Sequence, residues 1–331
     1  MRAVIASQAE LQLVERPDPV AQAGEVLIDV RATAVNRADL LQAAGHYDPP
    51  PGASDVLVLE AVGEIVSVRE GVAEEWIGKR VGALLAGGGY AERVAVDVGC
   101  VFALPRDASW SDGAAIPEVF LTAHQALDVI GRVRQGEHVL IHAGASGVGT
   151  AAIQLARLRG AIPHVTASPA KHDACRALGA ESTTDYHDDN WPDHILEATG
   201  GKGASVILDF IGAPYAATHV RLLARDGRWV VLGLMGTSGQ RGTPIDSLDL
   251  RGLFAKRGTL VTSTLRSRDV AYKAALVRSF ASDVLPAFVT GDLRPVVDRT
   301  FDLADVSDAH AYVKARKNVG KVVLRVGGTP L

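Results

Sequence analysis

Short runs of apolar and β-branched residues, broken by Gly, Pro and Asp, fill the chain up to about residue 120. EVLIDVRATAVN, GEIVSV and ERVAVDV are examples, and they show little of the periodicity of an amphipathic helix. Runs of this length and composition are typical of β-strands. The first part of the chain is therefore predicted to form an all-β domain.

From about residue 137 the pattern changes to apolar strands that alternate with helical stretches, beginning with HVLIHAGASGVGTAAIQLARLRG. Further units are IPHVTA with AKHDACRALGA, ASVILDFIG with PYAATHVRLLARDG, and RWVVLGL, with TLVTSTL as the last strand. Apolar runs buried on both faces predict a parallel sheet with helices on each side, wound right-handedly.

After residue 266 a predicted helix, DVAYKAALVRSFASDVL, is followed by PVVDRTFDL and GKVVLRV, which look like the strands of the first part. The simplest arrangement is a parallel α/β domain inserted into a discontinuous β domain. We therefore predict an α/β protein in which residues 122–266 form one domain and residues 1–121 and 267–331 form the other. The length of 331 residues suits two domains.

Composition narrows the function classes. A net charge of −4 gives no basic field for nucleic acid, so a small-molecule partner is the better expectation. The two cysteines, Cys100 and Cys175, supply neither a disulfide framework nor a four-ligand zinc site. The N-terminus lacks the apolar region of a signal peptide, and no apolar run is long enough for a membrane span, so we expect a cytoplasmic protein with no membrane partner.

The segment GASGVG lies between a predicted strand and a predicted helix, which is the context of a dinucleotide-binding fingerprint. Gly144 permits the tight turn, Ser146 stands where a second glycine is usual, and Gly149 lets the helix pack closely on the strand. The helix, predicted from about Thr150, then offers N–H groups to a pyrophosphate. The alternative is a glycine turn that only reverses the chain. The predicted cofactor contacts of this loop are Gly144, Ala145, Ser146, Gly147, Val148 and Gly149.

The segment HVTASPAK after the second strand indicates which dinucleotide is bound. An NAD enzyme places a carboxylate there, whereas this segment has Ser168 and Lys171 and no acidic residue. A hydroxyl and an ammonium favour the 2′-phosphate of NADPH, and Tyr186 after the next strand completes the predicted pocket. The alternative for Lys171 is a solvated charge on the first turn of a helix.

The stretches NRADLLQAAGHYDPPPGAS, LEAVGEIV, AAIPEVFLTAHQAL, HAGASGVGTAAIQLAR and KNVGKVVL together resemble the medium-chain dehydrogenase/reductase superfamily. Within it the chain is similar to the zinc-independent, zeta-crystallin-like quinone oxidoreductases. YDPPPGAS, LLAGGGYAE, DGRWVVLGLMG and TSTLRSRD are similar to a narrower branch, the tumour-suppressor-inducible quinone oxidoreductases. The resemblance covers essentially the whole chain and implies a Rossmann doubly wound sheet domain that binds NADPH and a mostly β, GroES-like catalytic domain.

The departures from the zinc-binding alcohol dehydrogenases are informative as well. This chain has Asn36 where they carry a cysteine ligand, and Val58, Leu59 and Glu60 where they carry Gly-His-Glu. Because a catalytic zinc needs three protein ligands, the resemblance implies a metal-independent enzyme. Glu60 alone is interpreted as a structural carboxylate, with a ligand as the alternative.

The resemblance places Asn36 and Tyr47 beside the nicotinamide as the catalytic residues, where an amide and a phenol hydrogen-bond a quinone oxygen as it gains charge. The alternatives are a turn residue for Asn36 and a cover over the core for Tyr47. His124 and His142 are predicted to be structural rather than proton donors, since neither has an obvious carboxylate partner in the sequence.

Other cofactor contacts are also implied. They come from the hydroxyl of Thr122, for which a helix N-cap is the alternative, and from Asn318, for which the alternative is an ordinary turn. Gly212, Gly233 and Met235 follow two sheet strands and are expected to line the cofactor cleft through their backbone.

The leading prediction is an NADPH-dependent quinone oxidoreductase that transfers a hydride or single electrons without a metal. The scaffold also supports reduction of enones and enoyl thioesters, so an activated double-bond reductase is the alternative enzyme. A non-enzymatic NADPH-binding protein is the third hypothesis. The resemblance implies a homodimer, and the edge strand near TLVTSTL is the expected contact, because an unpaired apolar edge invites pairing.

Overall fold

The computed structural model describes residues 1–7, 10–237 and 248–327. The chain divides into two compact units, residues 1–121 with 265–331 and residues 122–264. We name these the β unit and the α/β unit. The second division falls two residues before the predicted one, because Leu265 and Arg266 pack with the β unit.

The strands carry the numbers β1 to β15 in chain order. In the first part of the β unit they are β1 (Arg2–Ser7), β2 (Glu10–Glu15), β3 (Glu25–Val35), β4 (Glu60–Val68), β5 (Arg80–Leu84), β6 (Arg93–Asp97) and β7 (Val101–Ala103). The α/β unit contains β8 (His138–Ile141), β9 (Ile162–Ala167), β10 (Ser182–Asp185), β11 (Ala204–Asp209), β12 (Leu223–Val231) and β13 (Thr259–Thr262). The last two, β14 (Val297–Asp302) and β15 (Lys321–Arg325), belong to the β unit.

The helices carry the numbers α1 to α11. They are α1 (Arg37–Ala43), α2 (Trp110–Ala114), α3 (Pro117–His124), α4 (Gly147–Leu158), α5 (His172–Ala177), α6 (Trp191–Ala198), α7 (Ala216–Leu222), α8 (Leu250–Ala255), α9 (Val270–Asp283), α10 (Pro286–Thr290) and α11 (Val306–Lys314). A π-helical turn, Gln125–Ile130, follows α3. Within the described ranges no helix has the length and apolar character that crossing a membrane requires.

The main sheet of the β unit has the order β14-β15-β3-β4-β5-β7, and β6 also pairs with β3. β14 and β15 are parallel, and the remaining neighbours are antiparallel. β3 shows why the sequence folds this way, since its alternate residues Val26, Ile28, Val30 and Ala32 are at most 3% exposed. A strand turns successive side chains to opposite faces, so this alternation buries one complete face.

The sheet of the α/β unit is parallel between all neighbouring strands, in the order β10-β9-β8-β11-β12-β13 among the residues described. Its central strands are buried on both faces, with every residue from Val139 to Ile141 and from Val206 to Leu208 at 0% exposure. The predicted doubly wound parallel sheet is therefore confirmed.

The start of α4 and the first two strands differ from the prediction, whereas the end of α4 agrees with it. α4 begins at Gly147, about three residues before the predicted start, because Ser146 caps it. The N-terminal residues form an antiparallel pair, β1 with β2, whose alternation in ELQLVE was overlooked. Gly160 does end α4 as expected, with φ of +69° directly after the C-cap Arg159.

Candidate functional site

The glycine loop joins β8 to α4, and close packing shapes it. A Cβ at Gly144 would lie 2.7 Å from the Cβ of Val165, and a Cβ at Gly149 would lie 2.4 Å from the carbonyl oxygen of Ala143. Both positions therefore admit only glycine without a shift of the loop. The left-handed residue of the turn is Ala143, with φ of +50°, rather than Gly144.

Ser146 organises the start of α4. Its Oγ accepts a hydrogen bond from the N–H of Gly149 at 3.0 Å, which is an N-cap. The Oγ1 of Thr150 donates to the carbonyl of Gly147 at 2.9 Å, one turn back. The other first-turn N–H groups of a helix lack intrahelical partners and carry partial positive charge, so this loop fits a dinucleotide pyrophosphate.

Most of the predicted cofactor residues lie along one edge of the parallel sheet. Ala167 at the end of β9 is level with Asp185 at the end of β10, and Asp209 at the end of β11 is level with Val231 at the end of β12. Because these strands are parallel, the segments after them share one edge, which is where open α/β sheets bind ligands. The predicted residues at this edge are Gly144 to Gly149, Ser168, Lys171, Tyr186, Gly212, Gly233 and Met235.

The loops after β9 and β10 carry the residues predicted to recognise the 2′-phosphate. Ser168 precedes a 3-10 turn, Pro169–Lys171, and its side chain makes no cap hydrogen bond there. Ser168, Lys171 and Tyr186 are all half-buried. The ring centroid of Tyr186 lies 4.1 Å from that of His187.

Asp209 and Phe210, at the end of β11, accept hydrogen bonds from the loops that follow β11 and β12. Gly212 has φ of +84°, and its N–H donates to Oδ1 of Asp209 at 3.0 Å. The N–H of Met235 donates to the carbonyl of Phe210 at 2.9 Å. A Cβ at Gly212 would lie 2.6 Å from Cδ2 of Leu234, so the two loops pack tightly.

Thr122 and Asn318 do not follow strands of the parallel sheet. Thr122 lies inside α3, five residues after its first residue, so the alternative of an N-cap is wrong. Asn318 belongs to the β unit, where its Nδ2 donates to the carbonyl of Gly320 at 2.7 Å in the turn before β15. The described contacts of Asn318 therefore match those of a turn residue.

His142, directly before the glycine loop, belongs to a fully buried polar network. Its Nδ1 lies 2.9 Å from Oγ1 of Thr166, and its Nε2 lies 2.9 Å from Nε2 of His219. Nδ1 of His219 in turn lies 3.3 Å from Oδ2 of Asp209, which also accepts from Nε1 of Trp229. Burial, followed by the neighbouring His219, lowers the pKa of His142.

The expectation that neither histidine has a carboxylate partner is wrong for His124, whereas His142 has none in direct contact among the described residues. His142 reaches Asp209 through one further imidazole. Nδ1 of His124 lies 2.6 Å from Oδ2 of Asp128, which also accepts from Arg159 at 2.9 Å. The spacing of four residues between His124 and Asp128 on a continuous helical segment could have revealed this pair.

The polar centre of the β unit is an ion pair that sequence reasoning missed. Nζ of Lys321 lies 2.7 Å from Oε1 of Glu60, and these residues are 3% and 0% exposed. The same Nζ donates to Oδ1 of Asn36 at 2.7 Å and to the carbonyl of Val35 at 3.0 Å. Nδ2 of Asn36 donates to Glu60 at 2.9 Å and to the carbonyl of Ala34 at 3.2 Å. Asn36 is thus the N-cap residue of α1, held rigidly by charged neighbours.

Two further carboxyl groups surround this ion pair. Burial raises the pKa of Asp39 to about 7, although its Oδ2 accepts from the N–H of Asn36 and from the hydroxyl of Tyr90. Burial and then the charge of Glu60 raise the pKa of Glu118 to about 8. Both acids therefore hold their protons to a much higher pH than exposed carboxyl groups do.

Tyr47 is half-buried at the margin of this cluster. Burial and then Glu118 raise the pKa of its phenol, so it stays protonated at neutral pH. The guanidinium carbon of Arg266 lies 5.2 Å from the centre of its ring. Sequence reasoning missed Arg266, Glu118, Asp39 and Lys321.

A zinc ion does not fit this cluster. Asn36 offers an amide that is already bound to Glu60, and the carboxylate of Glu60 is already paired with the ammonium of Lys321. Zinc sites use thiolate, imidazole and carboxylate donors, three of them in a catalytic site. Across residues 1–7, 10–237 and 248–327 no group of three such side chains is arranged to hold a metal.

Two family models match the chain. Residues 22–106 match the alcohol dehydrogenase GroES-like domain, and residues 147–281 match the family described as zinc-binding dehydrogenase. The quinone oxidoreductase of Thermus thermophilus, solved also in complex with NADPH, is 33% identical, with a TM-score of 0.82 over 98% of this chain and 100% of that one. The JamJ enoyl reductase is 27% identical, with a TM-score of 0.85 over 98% of both chains.

Larger proteins are similar as well. Polyketide synthase GfsB of Streptomyces halstedii is 33% identical over 92% of this chain, which spans only 5% of the length of that synthase. The α/β unit and the β unit thus have the Rossmann-like and GroES-like folds of these relatives.

Proposed function

Since the chain belongs to the medium-chain dehydrogenase/reductase superfamily as a quinone oxidoreductase-like member, we propose that it is a cytoplasmic NADPH:quinone reductase that works without a metal. The observation that carries the proposal is that the chain has both a glycine loop that fits a dinucleotide and a polar cluster, Asn36, Glu60 and Lys321, whose donors do not suit zinc. The first supports redox chemistry with a nicotinamide, and the second removes the zinc-dependent route to alcohols.

Ser168 and Lys171 carry the preference for NADPH in this proposal. They follow β9, where a carboxylate would repel a 2′-phosphate, and they offer it a hydroxyl and an ammonium. Bound NADPH supplies the hydride, while the loop from Gly144 to Gly149 holds its pyrophosphate.

Tyr47 and Asn36 orient the acceptor in this proposal. Both N–H groups of Asn36 are engaged by Glu60 and by the carbonyl of Ala34, so Tyr47 is the better donor to an acceptor oxygen. Asn36 then contributes chiefly by fixing the start of α1, directly after the end of β3. The buried ion pair keeps this part of the site rigid.

Replacement of Lys171 tests the choice of cofactor. In the K171A variant we expect kcat/KM for NADPH to fall about 10- to 100-fold, which corresponds to loss of a hydrogen bond to a charged group of about 1.5 to 3 kcal/mol. The value for NADH should change less than threefold. The matched control is K202A, an exposed lysine before β11 at the opposite edge of the sheet. An unchanged ratio of NADPH to NADH in K171A would refute the assignment.

Reduction of an activated double bond is the second candidate, favoured by the similarity to the JamJ enoyl reductase. Parallel steady-state assays with a small quinone, a small enone and an enoyl thioester separate the two candidates. We expect the quinone to have the highest kcat/KM. If NADPH binds tightly while none of these acceptors is reduced, the protein is instead a non-enzymatic NADPH-binding protein.

A homodimer through β13 is part of the proposal. β13 lies at the edge of the parallel sheet as described, and Leu250 and Phe254 on the preceding α8 are 66% and 86% exposed. A strand at the edge of the described sheet and exposed apolar side chains each favour pairing with a second copy. Sedimentation of wild-type protein and of F254E tests this: the wild type should be dimeric and the variant monomeric.

A further inference from the structure

Arg266 is a buried cation whose hydrogen-bonding capacity is only partly used. It is 3% exposed, and its Nε donates to the carbonyl of Ala86 at 2.8 Å. Its two terminal nitrogens, Nη1 and Nη2, have no hydrogen-bond partner among the described residues. Leaving a buried charged donor without a partner is costly, which indicates that a ligand or solvent completes the site.

The surroundings of Arg266 within the β unit point to an oxygen acceptor rather than a permanent ion-pair partner. The nearby carboxyl groups are Asp39 and Glu118, and burial raises their pKa to about 7 and about 8. At neutral pH Glu118 is therefore mostly protonated and Asp39 only partly ionised. Neither carboxyl group accepts a hydrogen bond from Nη1 or Nη2, so among the described residues both nitrogens remain available to another acceptor.

The ring of Tyr47 lies close to Arg266. Its ring centre is 5.2 Å from the guanidinium carbon, close enough for an attractive cation–π contact that fixes both side chains. Gly87 also lies close to the guanidinium, since a Cβ on Gly87 would come within 3.7 Å of Nη2 and 2.9 Å of the carbonyl oxygen of Ser54. Nη1 and Nη2 of Arg266 and the side chain of Tyr47 thus lie close together and can both donate to one ligand.

We propose that Arg266 is a catalytic residue that hydrogen-bonds the acceptor oxygen and stabilises the negative charge formed on it. This inference rests on the proposed reductase function. A hydride from NADPH adds to a quinone to give a hydroquinone monoanion, or to the β-carbon of an enone to give an enolate, and NADP⁺ is released. In both cases the electron pair of the carbonyl ends on oxygen. Arg266 remains protonated throughout, and the proton that neutralises the product comes from a stronger acid than the guanidinium or from solvent.

Variants of Arg266 separate this role from a structural one. In R266Q we expect kcat to fall about 10²- to 10³-fold, the loss that follows removal of one oxyanion donor, while the Kd for NADPH changes less than threefold. R266K should recover part of kcat, and guanidinium ion added to R266A should restore activity in a saturable way. The control is R268Q, since Arg268 is an exposed residue that stacks on Tyr272 at 4.4 Å and should leave kcat unchanged.

Ligand binding to the wild-type holoenzyme gives a second measurement that needs no variant. With NADP⁺ bound, 4-nitrophenolate should bind at least tenfold more tightly than 4-nitroanisole, which has the same ring without the anionic oxygen. Equal affinities, or an R266Q variant with more than half of the wild-type kcat, would overturn the proposal. A loss in R266Q that follows a weaker Kd for NADPH would instead assign Arg266 to the cofactor. If the wild type reduces no acceptor yet prefers the phenolate, the proposed function fails and the oxyanion site stands.

Discussion

Replacing Lys321 with methionine should destabilise the β unit strongly while preserving the volume of the side chain. The ammonium makes three hydrogen bonds, to Glu60, Asn36 and the carbonyl of Val35, and it is 3% exposed. The K321M variant leaves the carboxylate of Glu60 buried without a counter-charge, and breaking a buried pair in this way costs about 3 to 5 kcal/mol.

The structure places the expected loss at the lower end of that range. Glu60 would keep the hydrogen bond from Asn36 at 2.9 Å and the one from the N–H of Glu118 at 2.9 Å. These two donors continue to stabilise the carboxylate, so we expect a loss of about 3 kcal/mol. The K321M/E60Q double variant should be more stable than K321M, because the uncompensated charge is then absent.

Hydrogen exchange followed by mass spectrometry suits this measurement, because unfolding of a two-unit chain need not be two-state. Peptides covering β3 and β4 should exchange about a hundredfold faster in K321M, which corresponds to about 3 kcal/mol. Peptides of the α/β unit should be unaffected. The control is R325M on the same strand, which removes a partly exposed ion pair with Asp302 and should cost less than about 1 kcal/mol. A loss of less than about 1 kcal/mol in K321M would refute the reasoning.

Three further outcomes are expected. Burial raises the pKa of Glu118 in the folded protein to about 8, so the folded protein binds this proton more tightly than the unfolded chain does. The free energy of unfolding should therefore decline from about pH 4.5 to pH 8. The E118Q variant should flatten that decline in urea unfolding curves. G149A should weaken NADPH binding at least tenfold in fluorescence titrations, because its Cβ would lie 2.4 Å from the carbonyl oxygen of Ala143; an unchanged affinity would mean that the loop yields easily. D128N should lower the melting temperature but leave kcat within threefold if His124 is structural, whereas a large fall in kcat would make this histidine part of the chemistry.

The fold could be predicted because its signals are local. The alternation of β3 and the uniformly apolar runs of β8 and β11 are each contained in a few consecutive residues, and each defines its own burial pattern. The glycine loop was equally accessible, since its strand, its turn and its cap at Ser146 are contiguous. His124 and Asp128 were overlooked, although helical spacing alone brings them together.

The buried polar cluster around Glu60 could not be predicted in the same way. Lys321 and Glu60 are separated by 261 positions, and they meet only because β15 pairs with β3, with Val322 opposite Val35. Arg266 likewise reaches Ala86 across 180 positions. No periodicity within either segment encodes such a contact, because it depends on which strands become neighbours.

The late position of β15 in the chain has a consequence for biosynthesis. Residues 122–264 can complete their parallel sheet while the ribosome is still translating, since every described strand of that sheet has already been made. The β unit must wait for residues 321–325, which fill the gap between β14 and β3 and deliver the counter-charge of Glu60. During that interval a nascent chain carries a complete parallel sheet in one unit, while the sheet of the β unit still lacks the strand that separates β14 from β3.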